Sequence, residues 1–244
     1  MWGYPFSLWK LSENEKGTFM DLVVGGSPIQ GCEPVEYLKA RNRDFVVVDS
    51  NPNCPAVIKY GLKLSNEVRE KGEQFLLGNI ETALGLLEKY KPEYVFPSSP
   101  IHVVTEFAKV KFRLESWNEA IDPILAYLPP AVIFRAGKGR LAITFNRDKD
   151  CVEKCESEYQ FSPSGTKGPC PLDRPKPCSI DKLMRFACPE GFILFSHTVS
   201  PGLGAFKGND ILKFLDWAEK KEKFVLATSC NCHGVFWGFK KTTR

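Results

Sequence analysis

Short, valine-rich apolar runs alternate with helical stretches through the first half of the chain, and this alternation constrains the fold most strongly. Continuous apolar runs of this length are typical of parallel strands that are buried on both faces. Helices that connect parallel strands form right-handed βαβ units, so the sequence predicts an α/β protein with a Rossmann-like, doubly wound, mostly parallel sheet. The predicted strands are Asp21–Val24, Phe45–Val48, Phe75–Leu77 and Tyr94–Phe96.

Length and composition are those of a globular protein with one large domain or two small ones. The 244 residues are 43% hydrophobic and 25% charged, with a net charge of +4. This apolar fraction supports a core without disulfides and excludes disorder as the main state. We predict an N-terminal extension at 1–19, a Rossmann-like domain at 20–129 and a cysteine-rich α/β domain at 130–244, with the boundary near Pro129-Pro130.

Several classes of partner are excluded by the same pattern. The longest apolar runs fall far short of the roughly 20 residues that cross a bilayer, so no membrane association is expected. The chain has no dense basic patch with interleaved aromatic residues, which disfavours nucleic acid. Residues 1–19 lack a secretory signal, so we expect a reducing, cytoplasmic location. With membranes and nucleic acid disfavoured, the partner that we expect is a small-molecule ligand. The oligomeric state is not indicated.

The loop after the first strand contains Gly25, Gly26 and Gly31, and Asp49 ends the second strand. In dinucleotide-binding units, glycines let the backbone approach phosphate, and an acidic residue at this second position binds the ribose hydroxyls. These four residues are therefore candidates for binding an adenine nucleotide. The spacing differs from G-x-G-x-x-G and Pro28 removes a backbone donor, so a tight turn that binds no nucleotide is the alternative.

Residues 20–108 resemble the nucleotide-binding domains of the TrkA type and the amino-terminal domains of ATP-grasp enzymes. The resemblance lies in Val46–Pro52, in Gly78-Asn79 and in Tyr94–Pro97. It implies a Rossmann-like fold and a nucleotide ligand, and a TrkA-type domain would act as a ligand sensor. Asn79 stands where TrkA-type domains usually carry an acidic residue, and the rest of the chain is too short for an ATP-grasp catalytic domain.

Most of the nine cysteines lie in the last third of the chain. Cys151, Cys155, Cys170 and Cys178 follow the pattern C-x3-C-x14-C-x7-C, with prolines and glycines between them. Burial cannot order such a segment, whereas a bound metal would, because ligand-binding energy becomes folding energy. The spacing lacks the C-x2-C of zinc ribbons. The hypotheses are an iron–sulfur cluster or an irregular zinc site, with redox-active thiols or unbound cysteines as alternatives.

A second βαβ unit is predicted near the C-terminus. Phe192–Phe195 and Phe224–Thr228 are strand-like, and a glycine-rich loop at Ser200–Gly208 precedes a helix capped by Asn209. A glycine loop that opens a helix forms an anion cradle. The candidate cofactor-binding residues of this loop are Gly202, Gly204 and Lys207.

The last of these strands leads into Cys230-Asn231-Cys232-His233, whose thiols and imidazole are candidate metal ligands. This motif is one residue short of the C-x-x-C-H of haem attachment. Loops that follow parallel strands emerge at one edge of the sheet, so we expect the motif and the glycine-rich loop to be neighbours.

The remaining histidine and cysteine candidates are weaker. His102 and Cys188 are predicted to be packing residues. Cys32 and Cys54 follow strands of the first unit, where ligands or redox thiols can lie, but each is isolated in sequence.

Three classes of function remain open at this point, and no catalytic residue can be assigned. The first is an enzyme that uses a metal or iron–sulfur centre on a nucleotide or small anionic substrate, in redox or sulfur-related chemistry. The second is a thiol enzyme with Cys230 or Cys232 as nucleophile and His233 as base. The third is a non-catalytic ligand sensor with a structural zinc clasp.

Overall fold

The computed structural model describes residues 20–27, 32–69, 71–99, 101–145, 180–200 and 203–242. The predicted N-terminal extension lies outside these ranges. So do six predicted site residues: Gly31, Cys151, Cys155, Cys170, Cys178 and Gly202.

The first of two mixed sheets has six strands, and its parallel part confirms the strands expected from the valine-rich runs. In spatial order the strands are β3 (Glu73–Leu77), β2 (Phe45–Asp49), β1 (Asp21–Val24), β4 (Tyr94–Pro97), β10 (Leu203–Lys207) and β9 (His197–Ser200). Strand β1 pairs in parallel with β2 and β4, and β2 pairs in parallel with β3. Strand β10 runs antiparallel to both β4 and β9.

The second sheet is built from later parts of the chain. Its strands in spatial order are β6 (Ile133–Gly137), β7 (Arg140–Thr144), β12 (His233–Lys241), β11 (Lys223–Ser229) and β8 (Phe192–Phe195), while β5 (Leu114–Ser116) pairs separately with β12. Strands β8 and β11 are parallel, as predicted for the second βαβ unit. The described residues also form seven α-helices: α1 (Cys32–Ala40), α2 (Pro55–Tyr60), α3 (Ile80–Tyr90), α4 (Val103–Phe112), α5 (Ile121–Leu125), α6 (Ile180–Ala187) and α7 (Gly208–Glu219).

Burial alternates along the strands and divides the apolar residues among three cores. Leu22 and Leu226 face a central core that also contains α3, α4 and α7. Val23 faces an outer core with α1 and α2, whereas Ala227 faces the other outer core with α5 and α6. The protein therefore has five layers, in which helices separate the two sheets and cover their outer faces. Among the described residues, no helix combines the length and apolar character that crossing a bilayer requires.

The two sheets interleave along the sequence. Strand β5 precedes Pro129-Pro130 but pairs with β12, whereas β9 and β10 follow that point and join the first sheet. The parts of the chain before and after the predicted boundary are thus joined by backbone hydrogen bonds.

The prediction of a glycine-rich loop at 200–208 is wrong, because Gly204 and Lys207 lie in strand β10. Helix α7 begins at Gly208, with Lys207 rather than Asn209 at its N-cap. The glycines permit close packing: a Cβ at Gly204 would lie 2.6 Å from the Ser196 hydroxyl oxygen, and one at Gly208 would lie 2.1 Å from the Pro92 carbonyl oxygen. The sequence pattern was interpreted as a loop because close packing requires glycine both in β10 and at the start of α7.

Candidate metal centre

Strands β11 and β12 form a tight hairpin, and the Cys-x-Cys-His motif lies at its tip. Ser229 pairs with Gly234, and the backbone N–H of Cys230 donates to the carbonyl of His233 at 2.9 Å. Two residues, Asn231 and Cys232, remain at the turn. A turn this short holds the motif's side chains close together.

The two thiols and the imidazole converge at this tip. His233 Nδ1 lies 3.6 Å from Cys230 Sγ and 3.1 Å from Cys232 Sγ. One ligand atom from each of the three residues falls within 4.8 Å of the others. Cys232 is buried, while Cys230 and His233 are half-buried. The arrangement joins two soft sulfur donors to an imidazole nitrogen, which is a donor set that zinc and other thiophilic metals prefer.

The environment of Cys230 favours the thiolate. The hydrogen bond with Cys232 is the largest cause that holds the pKa of the Cys230 thiol well below its ordinary value. Burial opposes this effect, whereas the hydrogen bond and charge of His233 lower the pKa further. A thiolate is the form of cysteine that binds metals and acts as a nucleophile.

Three backbone hydrogen bonds from distant parts of the chain hold the hairpin tip. The N–H of Ser196, just after β8, donates to the Ser229 carbonyl at 2.7 Å. The N–H of Phe145, after β7, donates to the Cys232 carbonyl at 3.0 Å, and that of Ile180, which begins α6, donates to the Asn231 carbonyl at 3.3 Å. These bonds use only backbone groups, so they hold the tip independently of the thiols and the imidazole.

Phe145 is the last described residue before the segment that carries Cys151, Cys155, Cys170 and Cys178, and Ile180 is the first described residue after that segment. The role of those four cysteines as ligands stays a prediction.

The predicted nucleotide-binding residues of the first unit lie together at the ends of β1 and β2. Asp49 Oδ2 accepts from the backbone N–H of Gly26 at 2.6 Å, and Asp49 Oδ1 accepts from that of Asn51 at 2.8 Å. Gly25 has a φ of +97°, and a Cβ there would lie 2.6 Å from the Ser98 carbonyl oxygen. The Asp49 carboxylate thus ties two loops together, and its role in binding ribose stays a prediction.

The candidates in strand β10 are separated from one another. Gly204 lies against Ser196, which is itself hydrogen-bonded to Ser229 beside the hairpin tip. Lys207 lies three residues further along the strand, about 10 Å away, and pairs with Tyr94. The role of Gly202, Gly204 and Lys207 in binding an anion stays a prediction.

The other cysteines that the structure describes lie outside the Cys-Cys-His cluster. Cys32 and Cys54 are buried, and Cys188 is half-buried. Burial is the largest cause that raises the pKa of Cys54 and of Cys188, so both favour the thiol form.

His102 also lies outside the cluster. It is the N-cap residue of α4 without a side-chain capping bond, and its ring meets Trp237 edge-on at 5.3 Å. Burial, followed by the charge of Arg140, lowers the pKa of His102.

Sequence reasoning missed the groups that support the hairpin tip. Phe145, Ile180 and Ser196 contribute backbone N–H groups, which have no side-chain signature.

Comparison with known proteins identifies the family. Residues 20–103 match the family model AF_1314_N, described as "Uncharacterized protein, N-terminal domain", and residues 103–242 match AF_1314_C, described as "Uncharacterized protein, C-terminal domain". The chain belongs to the AF_1314 family. A protein of Archaeoglobus fulgidus named "Uncharacterized protein" is 41% identical over 225 residues, which cover 91% of this chain and 100% of that protein. No solved structure matches the chain.

Membership of the AF_1314 family corrects the expected resemblance to TrkA-type and ATP-grasp domains. The match at 20–103 is to this family's own N-terminal domain, and the match continues through the C-terminal part. The resemblance to those two groups is therefore withdrawn, and the nucleotide hypothesis rests only on the glycines after the first strand and on Asp49.

Proposed function

We propose that this protein binds a thiophilic metal ion through Cys230, Cys232 and His233, and that this centre is its functional site. The observation that carries the proposal is the convergence of the three ligand atoms within 4.8 Å on a braced hairpin. Two thiolates at such a distance repel each other, and a bound cation removes that repulsion. The backbone bonds to the tip reduce the entropy that metal binding must otherwise overcome.

A single zinc-like ion fits this donor set better than an iron–sulfur cluster. Clusters are commonly held by four cysteine thiolates, whereas the described residues bring two thiolates and one imidazole together. Two cysteines and a histidine form the protein ligands of one known type of catalytic zinc site, in which the fourth position is open to water or substrate. The four cysteines at 151–178 are the sequence-based candidates for further metal ligands. One of them would close the fourth position, and several would allow a cluster.

An open fourth position would suit an enzyme that acts on a small anionic substrate, because the metal ion can polarise a bound oxygen or sulfur atom. We interpret the spatial order β3-β2-β1-β4 as the Rossmann-like part of the fold. The hypothesis that an adenine nucleotide binds at Gly25, Gly26 and Asp49 is separate from the metal proposal and needs its own titration.

Metal analysis of the intact protein tests the proposal. Protein purified without oxygen and without affinity metals is analysed for zinc, iron and acid-labile sulfide. We expect about one zinc ion per chain, and Cys232→Ser is expected to abolish it, while the matched variant Cys54→Ser retains it. Iron with equimolar sulfide would replace the single-ion proposal with the cluster, and equal metal content in the two variants would overturn the site.

A thiol enzyme is the second candidate, and one distance favours it: His233 Nδ1 lies 3.1 Å from Cys232 Sγ. An imidazole at this distance can accept the thiol proton. Protein without metal that keeps its activity in the presence of a chelator and loses it on alkylation of Cys230 or Cys232 would select this candidate. Activity that requires the metal ion would exclude it.

A further inference from the structure

A cavity of about 740 Å³ opens beside the second sheet, at the end of β11 that is remote from the metal centre. Lys223, Phe224 and Val225 at the start of β11 line it. Cys230 lies seven positions after Lys223, which corresponds to about 23 Å of extended strand. The cavity is therefore a separate site, and its volume is within the range of small-molecule pockets.

Two tryptophans form the walls of this cavity, and the surrounding fold holds both in place. The backbone N–H of Trp117 donates to the Gly238 carbonyl at 2.9 Å. Trp217 packs its ring against Phe192 at 5.4 Å and against Phe224 at 5.8 Å between ring centroids. The ring of Trp217 is thus held by its packing and the backbone of Trp117 by its bond to β12, so a planar ligand can bind between the two residues with little ordering cost.

An exposed aromatic lip extends the cavity toward solvent. Tyr127 lines the cavity with 60% of its surface exposed, and Phe186, 68% exposed, meets it edge-on with ring centroids 6.1 Å apart. Two such rings side by side on a surface are costly to leave in water, and clustered exposed aromatic rings mark binding sites.

Two lysines give the cavity its chemical preference. Lys221 Nζ lies 5.5 Å from the centre of the Trp217 ring, and Lys223 Nζ lies 5.4 Å from that of Trp117. An ammonium group is attracted to an aromatic face, so the rings hold both charges at the cavity. Within the described ranges, neither lysine is in an ion pair. Both charges are thus available to an anion.

We propose that this cavity binds a small aromatic acid, with its ring between Trp117 and Trp217 and its acidic group on Lys221 and Lys223. A cationic ligand would be repelled by Lys221 and Lys223, whose ammonium groups lie beside both rings. Glu119 and Glu190 also line the cavity, and they would receive a hydroxyl or amino group of the ligand. The proposal does not depend on the metal centre.

The test uses 8-anilinonaphthalene-1-sulfonate as the aromatic acid and Cys188, which lines the cavity, as a local reporter. Fluorescence titration gives the affinity, and peptide mapping after alkylation gives the rate at Cys188 with and without the probe. In wild type we expect saturable binding and slower alkylation of Cys188. The double variant Lys221→Met, Lys223→Met is expected to bind at least tenfold more weakly, because each substitution keeps the apolar stem and removes the charge.

The matched control is Lys63→Met, Lys71→Met, which removes two exposed lysines of the first half of the chain and is expected to bind like wild type. Thermal unfolding of both double variants verifies that they fold. Trp117→Leu is expected to weaken the probe without changing the unfolding temperature by more than a few degrees. Equal affinity of the two double variants, equally tight binding of uncharged N-phenylnaphthylamine, or probe binding that leaves Cys188 unprotected would each overturn the proposal.

Discussion

Two pairs of cysteines, Cys32 with Cys54 and Cys230 with Cys232, follow strands of the two sheets and differ in chemistry. Each pair includes a deeply buried member. Cys54 is 2% exposed and Cys232 is 5% exposed, so burial does not distinguish the pairs. In the first pair, burial, the Asp49 charge and the neighbouring Cys32 all raise the pKa of Cys54. In the second pair, Cys232 and His233 lower that of Cys230.

The difference shows that burial raises the pKa of a thiol unless its neighbours stabilise the thiolate, as Cys232 and His233 do for Cys230. Cys54 of the first pair has acidic and apolar neighbours and favours the neutral thiol, which packs as a small hydrophobic group. The second pair has an imidazole within 3.6 Å of both sulfur atoms, and a metal ion can replace the protons there. The following predictions test whether His233 causes this difference.

Removing the imidazole should make the second pair resemble the first. In His233→Gln, we expect the affinity for Zn²⁺ to fall by more than the roughly 10–100-fold that loss of an outer partner of a metal site costs. Competition with a chromophoric chelator measures the change. His102→Gln is the matched control, because His102 lies outside the cluster and its loss should leave zinc affinity unchanged. If both variants bind zinc as tightly as wild type, His233 is not a ligand.

Metal-free protein should also distinguish the two pairs by reactivity. At pH 7 we expect iodoacetamide to modify Cys230 at least about tenfold faster than Cys54, because Cys230 is half-buried and favours the thiolate, whereas Cys54 is buried and favours the thiol. Peptide mapping over a time course gives both rates within one sample. Similar rates for the two residues would contradict the difference in their environments.

The effect of serine substitution on stability should be larger at Cys54 than at Cys230, which is the reverse of their order in reactivity. Cys54→Ser places a hydroxyl in the apolar core around α1 and α2, and we expect the free energy of unfolding to fall by about 1–3 kcal/mol. Cys230→Ser, compared without metal, should change it by less than about 0.5 kcal/mol, since the tip is held by backbone bonds. Denaturant titrations in the presence of a chelator provide both values. A large loss for Cys230→Ser would mean that this thiol is a structural part of the core.

The two pairs also show how far sequence reasoning reaches. Strands β1 to β4 could be predicted because Val46, Val47 and Val48 and their counterparts encode burial locally. Cys230, Cys232 and His233 could be grouped because all three lie within four consecutive residues of a tight turn. The contacts of Ser196, Phe145 and Ile180 with the tip could not, since backbone donors at long separation leave no pattern. Strands β9 and β10 were missed because Gly204 and Gly208 serve close packing and were interpreted as a loop.

The smallest expected effect concerns the first pair alone. The Asp49 carboxylate contributes to the raised pKa of Cys54, so Asp49→Asn should lower that pKa, because a negative neighbour disfavours the thiolate. The shift should be small, since burial is the largest cause and remains in the variant. A pH series of alkylation rates at Cys54, resolved by peptide mapping, measures the shift. Asn53→Asp, one residue before Cys54, adds an acid nearby and should shift the profile the other way. If the profile does not move in either variant, the charge of Asp49 does not contribute to the pKa of Cys54 and burial is its main cause. The difference in pKa between Cys54 and Cys230 would then come from burial at Cys54 and from Cys232 and His233 at Cys230.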